Sequence, residues 1–242
     1  MGIVRMGPPT ELISQLRAEL SLKNFVETGT YHGNTSAWAA NQFEQVYTIE
    51  NSEPLHKRAQ ATFSVVKNIG FLLGDSRAEL QKILPTLQGK SLFWLDAHWS
   101  GGETYGEADQ CPLLEEIAVI NQFAADSCIL IDDARLFTSP PQPPHRLEYW
   151  PDIVTVLDSL QQGAIERYIV IIEDVIIAVP SSAKGIVSSY CQQANAKAWK
   201  AYGEQQNSSD FQKGLALVSN SLVASLKGVG SRLRSILPIS AG

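Results

Sequence analysis

Residues 24–40 read NFVETGTYHGNTSAWAA. Phe25 and Val26 run into an acid at Glu27, two glycines follow at Gly29 and Gly33, and a helix-like run begins near Asn34 or Thr35. A strand that ends on a carboxylate and turns through glycines brings its backbone close to a ligand, and the helix behind it offers free amide groups to an anion. Glu27 adds a carboxylate for a cation such as an amino group.

The same ending recurs along the chain. QVYTIE (45–50), IGFLLGD (69–75), SLFWLDAH (91–98) and CILIDDA (128–134) each read as a buried strand, rich in β-branched or aromatic residues and closed by an acid. Amphipathic stretches separate them: SEPLHKRAQATFSVV (52–66), DSRAELQKILPTL (75–87) and CPLLEEIAVINQFAA (111–125). Ser76 with Glu79 reads as a capping box at the start of the second, and Pro151 as the first turn of PDIVTVLDSLQQ. Strands apolar on both faces, alternating with helices, predict a doubly wound, mostly parallel Rossmann-like α/β sheet with helices on both faces. RYIVIIEDVIIAVP (167–180) leaves no room for a crossover helix around Glu173 and Asp174, so it predicts a hairpin that makes the last of seven strands antiparallel. The expected organisation is one domain over residues 1–200, with its core at 24–180, and a tail over 201–242.

Composition bounds the function. A chain of 242 residues, 44% hydrophobic, can bury one sizeable core, and a net charge of −6 argues against a general nucleic-acid binder. Cys111, Cys128 and Cys191 show no C-x-x-C spacing, which points to reduced thiols rather than a disulfide framework or a thiolate zinc site. MGIVRMGPPTELI has no long apolar run, and Met6 breaks the myristoylation pattern, so the expected location is the cytoplasm.

In an open α/β sheet, ligands bind beyond the carboxyl ends of the strands, where the strand order reverses. Glu50 ends the second strand, the place for an acid that takes two ribose hydroxyls, and Asp75 ends the third, within reach of an adenine. A ligand carrying a carboxylate, an ammonium group and a nucleoside fits these offerings, and S-adenosylmethionine is such a ligand. A dinucleotide site prefers G-x-G-x-x-G, and Tyr31 stands where its second glycine would be.

VETGTYHGNTS resembles the E/D-x-G-x-x-x-G motif of class I S-adenosylmethionine-dependent methyltransferases, with YTIE and LLGDS following at that family's spacings. The resemblance implies cofactor contacts from Glu27, Gly29, Thr30, Tyr31, Gly33, Thr35, Ser36, Glu50, Asp75, Ser76 and Asp96.

The fourth and fifth strands carry more distinctive chemistry: Asp96 and His98 end one, Asp132 and Asp133 the other. Neighbouring strands lie about 4.8 Å apart, so three carboxylates and an imidazole would converge. Such a cluster needs a counter-charge, and oxygen ligation favours Mg²⁺, with Mn²⁺ or Ca²⁺ as alternatives. The other reading has Asp132 or Asp133 capping the next segment or pairing with Arg135, and His98 as a hydrogen-bonded loop residue.

Over residues 24–180 the chain also resembles the metal-dependent macrocin O-methyltransferase type, which modifies sugar hydroxyls. That resemblance implies Asp96, Asp132 and Asp133 as metal ligands and His98 or Asp96 as the catalytic base. The chain departs from that group in having DAHWSGGETYGEADQCP where an acid-rich turn is usual. The expectation is an S-adenosylmethionine-dependent, Mg²⁺-assisted O-methyltransferase acting on a hydroxyl of a sugar or related small metabolite. The alternatives are a metal-dependent hydroxylase-like enzyme on the same fold and a non-catalytic cofactor-binding protein.

WSGGETYGEADQ and RLFTSPPQPPHRLEYWP should overhang the site, with Tyr105, His145, Tyr149 and Trp150 either stacking on a saccharide acceptor or, the favoured reading, packing the loops down. After Asp210 the tail has no acid but carries Lys213, Lys227, Arg232 and Arg234 with apolar residues at roughly helical period. A peripheral membrane contact, a flexible tail and a homo-oligomer contact all stand as readings of it.

Overall fold

A computed structural model describes residues 7–99, 101, 106, 109–139 and 141–207. In chain order, α1 (Thr10–Leu20) leads to β1 (Asn24–Thr28), α2 (Asn34–Ala39), β2 (Gln45–Glu50), α3 (Glu53–Thr62), β3 (Ile69–Leu73), α4 (Ser76–Ile83) and β4 (Ser91–Leu95). There follow α5 (Leu113–Phe123), β5 (Cys128–Ile131), the single turn α6 (Arg135–Thr138), α7 (Ile153–Gln161), β6 (Arg167–Ile172), β7 (Val175–Pro180) and α8 (Lys184–Asn207).

All seven strands join one sheet in the order β3-β2-β1-β4-β5-β7-β6. The pairs among β1 to β5 are parallel, and β7 lies antiparallel between β5 and β6. This is the doubly wound sheet with an antiparallel last strand that the alternation predicts. The chain winds outward from β1 to β3 and returns to β4, so the order reverses between β1 and β4, where sheets of this kind bind ligands beyond the carboxyl ends of the strands.

Burial explains why these runs became strands. Every residue of β1, β4, β5 and β7 is buried, which only a sheet covered on both faces provides. Leu12, Ile13 and Leu16 of α1, Leu113, Ile117 and Ile120 of α5, and Val156 and Leu160 of α7 supply part of that cover. Each such side chain contributes about 1.5–3 kcal/mol by leaving water. The hairpin turns tightly because Glu173 (φ 51°) and Asp174 (φ 70°) are both left-handed, as a two-residue connection with the twist of its strands requires.

Two helix starts differ from expectation. The cap of α4 is Asp75, whose carboxylate accepts from the Arg77 amide at 2.9 Å, leaving Ser76 as the first helical residue rather than the head of a capping box. The cap of α7 is Asp152, which accepts from the Thr155 amide at 2.9 Å, so Pro151 precedes the helix. In both, an aspartate satisfies an amide of the first turn better than its neighbours can.

The chain divides into a unit ending at Tyr190 and a second beginning at Cys191. The described part of the second, 191–207, is helical and exposes Trp199 and Tyr202. The expected boundary after residue 200 falls within this helix, and the readings made of 208–242 lie outside the described residues. The three cysteines are thiols, and no described helix is long and apolar enough to cross a membrane.

Candidate active site

The turn after β1 is built around what a side chain would hit. Gly29 adopts φ 84° and donates its amide to the Ile49 carbonyl at 3.0 Å. Tyr31 is also left-handed, at φ 47°, half exposed, and donates its amide to Glu50 Oε2 at 2.9 Å. Gly33, at φ 75°, precedes α2 and sits against the Phe63 ring.

Glu27 is buried beneath this turn. Its Oε2 accepts from Ser36 Oγ at 2.5 Å and Thr48 Oγ1 at 2.7 Å, and Thr48 Oγ1 lies 2.6 Å from Thr30 Oγ1. Burial pushes the Glu27 carboxyl up to about 7, against the pull of hydroxyls from Ser36, Thr48 and Thr35. Glu50 accepts from the Ser52 amide at Oε1 and the Tyr31 amide at Oε2, both at 2.9 Å, which leaves each oxygen a further lone pair. Glu27, Gly29, Thr30, Tyr31, Gly33, Thr35, Ser36 and Glu50 are thus brought together at the ends of β1 and β2.

Asp75 and Ser76 are differently engaged. Both carboxylate oxygens of Asp75 hold Arg77, at 2.9 and 2.6 Å, and this bond keeps its carboxyl below the usual range. Arg77 continues to Asp109 Oδ2 at 2.6 Å. Ser76 is buried and hydrogen-bonds Glu116.

Across the crevice, Leu95 pairs in register with Ile131, so Asp96 and Asp132 leave the sheet side by side. His98 lies between acids, with Nδ1 3.5 Å from Asp96 Oδ1 and Nε2 3.0 Å from Asp133 Oδ2. Asp133, at φ 56°, is turned so that Oδ1 meets Arg135 Nη1 at 2.7 Å, and Arg135 also pairs with Asp174. Burial, then the charges of Asp132 and Asp133, hold the Asp96 carboxyl well above the usual range. Burial and Asp133 push Asp132 up to about 6. Burial opposes ionisation of Asp133 too, but His98 and Arg135 outweigh it and keep that carboxyl low.

These residues meet at the ends of β4 and β5. Among the described residues, no three or more His, Cys, Asp or Glu side chains form a group that could hold a metal ion. Arg135 pairs with Asp133 and supplies it with the counter-charge a cation would bring. As arranged, the donor set expected for Mg²⁺ does not fit one; the alternative pairing of Asp133 with Arg135 is the one observed.

Three residues not singled out from the sequence complete the site. Glu116 is buried in α5, hydrogen-bonded by Ser76 and Thr28, and burial pushes its carboxyl up to about 7. Gln110 is wholly buried and its Oε1 accepts from the Arg146 amide at 2.9 Å and Trp150 Nε1 at 3.1 Å, tying the two overhanging segments together. The third is Arg77. His145 Nε2 stands 3.2 Å from the Trp99 carbonyl, and the Trp150 ring meets His98 edge-on at 5.6 Å. His145 and Trp150 therefore pack the loops, and Tyr149 lies under the Arg146 guanidinium at 5.0 Å. Tyr105 lies outside the described residues. The signal for Glu116 was its register: it shares the buried face of α5 with Leu113, Ile117 and Ile120.

No protein-family model matches the sequence, and no curated protein matches it. Solved structures do resemble the fold. One described as a caffeoyl-CoA O-methyltransferase by assignment, from Staphylococcus aureus, is 15% identical with a TM-score of 0.52, covering 74% of this chain and 86% of that one. An O-methyltransferase from Bacillus cereus in complex with SAH is 14% identical with a TM-score of 0.51, covering 72% and 82%. At these identities the likeness shows the fold alone, a seven-stranded doubly wound α/β sheet.

Proposed function

We propose that the chain is an S-adenosylmethionine-dependent O-methyltransferase that acts in the cytoplasm on a hydroxyl of a sugar or related small metabolite. The observation that carries this reading is the placement of Glu27 and Glu50 around the Gly29–Gly33 turn, which lies against the Asp96 main chain at the end of β4. Glu27 takes the ammonium of the methionine moiety and Glu50 the two ribose hydroxyls. The O-methyltransferase fold, one relative of which was solved with SAH, supports the assignment.

The reaction is an in-line displacement: the acceptor oxygen forms a bond to the sulfonium methyl as the carbon–sulfur bond breaks, and the hydroxyl proton passes to a base. His98 is that base. Its imidazole stands beside Asp96 and Asp133, which orient it, and the ionised Asp133 stabilises the imidazolium it becomes. Asp96, 3.5 Å from His98 Nδ1, is the alternative base. A Mg²⁺-assisted version would need Asp133 to exchange His98 and Arg135 for the cation, and no step here runs through a metal.

The test is transfer of a labelled methyl group from S-adenosylmethionine to pools of glycosides and hydroxylated metabolites, in chelator and with Mg²⁺ restored. Label on a hydroxyl, lost in His98→Ala, supports the proposal. A tight cofactor complex with no transfer to any pool would favour a non-catalytic cofactor-binding protein instead.

A further inference from the structure

His56 is a buried polar side chain that the methyl-transfer reading leaves unused. It sits in the first turn of α3, is 8% exposed, and neither of its ring nitrogens has a hydrogen-bond partner among the described residues. A neutral imidazole carries one donor and one acceptor, and leaving both unmet away from water is costly. Packing alone is served by an apolar side chain, as at its buried neighbours Leu55 and Ala59.

The fold directs this ring to Glu50. Glu50 ends β2, the Ser52 amide donates to Glu50 Oε1 at 2.9 Å, and the His56 amide donates to the Ser52 carbonyl at 2.9 Å. The buried face of α3 lies on the turn after β1: a Cβ on Gly33 would stand 3.1 Å from the Phe63 ring and 3.4 Å from the Ala59 methyl. His56 precedes Ala59 by three residues on that face, one turn nearer the carboxyl edge of the sheet, and helical side chains lean toward the N-terminus of their helix. The imidazole is thus directed to the corner where Glu50 also receives the Tyr31 amide.

We propose that His56 is a further binding residue for the nucleoside, donating its ring N–H to a ribose hydroxyl that Glu50 holds from the other side. The proposal rests on the methyl-transfer reading, which puts the ribose at Glu50. A carboxylate only accepts, so Glu50 takes the hydroxyl hydrogens and leaves the hydroxyl oxygens in want of a donor. The amides of Tyr31 and Ser52 are already given to Glu50, and the N–H that has no acceptor is that of His56. A turn about one side-chain torsion carries the ring from its enclosed position to the ribose.

The experiment titrates the full chain with S-adenosylhomocysteine and with the analogue of it that lacks both ribose hydroxyls. His56→Leu should bind S-adenosylhomocysteine about tenfold more weakly than wild type and bind the analogue within about twofold of wild type, with His56→Phe as the second variant should the first misfold. In urea the folded variant should be at least as stable as wild type, because an apolar side chain replaces two polar atoms without partners. Equal loss for the two ligands, no loss for either, or failure of both variants to fold would each overturn the proposal, since a histidine that only supports the structure does not distinguish ligands by their hydroxyls. Failure of the methyl-transfer reading is seen separately, in a wild-type chain that binds neither ligand.

Discussion

The main chain of Asp96 occupies the space a side chain on Gly29 would need: a Cβ there would lie 2.3 Å from the Asp96 carbonyl oxygen. The turn after β1, proposed here to shape the cofactor side, is thus wedged against the end of β4, proposed to carry the catalytic side. Gly29→Ala must both tolerate a positive φ and push the end of β4 away. It should lower stability by about 1–3 kcal/mol and weaken S-adenosylmethionine binding at least tenfold. Urea unfolding and calorimetry check this; wild-type affinity in the variant would show that the turn is not where the cofactor lies.

Binding should be pH-dependent through Glu27. Its carboxyl titrates near 7 in the folded chain, and only the ionised form attracts an ammonium group. Affinity for S-adenosylmethionine should rise about tenfold between pH 6 and pH 8 and then level off. Glu27→Gln should flatten that rise and bind weakly throughout. A profile of the same shape in the variant would assign the dependence to another group.

Stability should show the opposite trend at Glu116. Its folded pKa near 7 lies above the ordinary glutamate value of 4.5, so between those values the folded chain binds more protons than the unfolded one. The contribution is therefore whole below pH 4.5 and is lost as pH rises through 7. Glu116→Gln cannot ionise, so its stability relative to wild type should improve by about 2 kcal/mol from pH 5 to pH 8. A difference that stays constant with pH would mean Glu116 has no raised pKa.

Why some of this was legible and some not follows from the range of the interactions. The strands were readable because burial on both faces leaves uninterrupted runs such as CILI and SLFWL, and the left-handed Glu173–Asp174 pair follows from two strands with nothing between them. The Glu27 and Glu50 placement follows from strand ends falling on one edge of a parallel sheet. The fate of Asp133 was not legible. Whether it faces a cation or Arg135 depends on its left-handed backbone and on Asp174, which is remote in sequence and arrives only when β7 inserts beside β5. Asp75 is similar: its acid is at the expected strand end, but the side chain two residues on takes both its oxygens.

The Arg135 arrangement makes its own prediction. Arg135→Met removes one counter-charge from Asp133 and leaves three carboxylates, Asp96, Asp132 and Asp133, with only His98 between them. Mg²⁺ should raise the thermal midpoint of this variant more than that of wild type, because like charges drawn together favour a cation. Equal Mg²⁺ effects on the two proteins would show that Arg135 is not what stands in for a metal.

Whether the switch point between β1 and β4 is a nucleoside pocket is tested most directly by calorimetric titration of the metal-stripped chain with S-adenosylmethionine. Binding should be micromolar in chelator, unchanged by Mg²⁺ and lost in a folded Glu50→Ala variant. Absence of binding by the wild-type chain, with and without Mg²⁺, would contradict it.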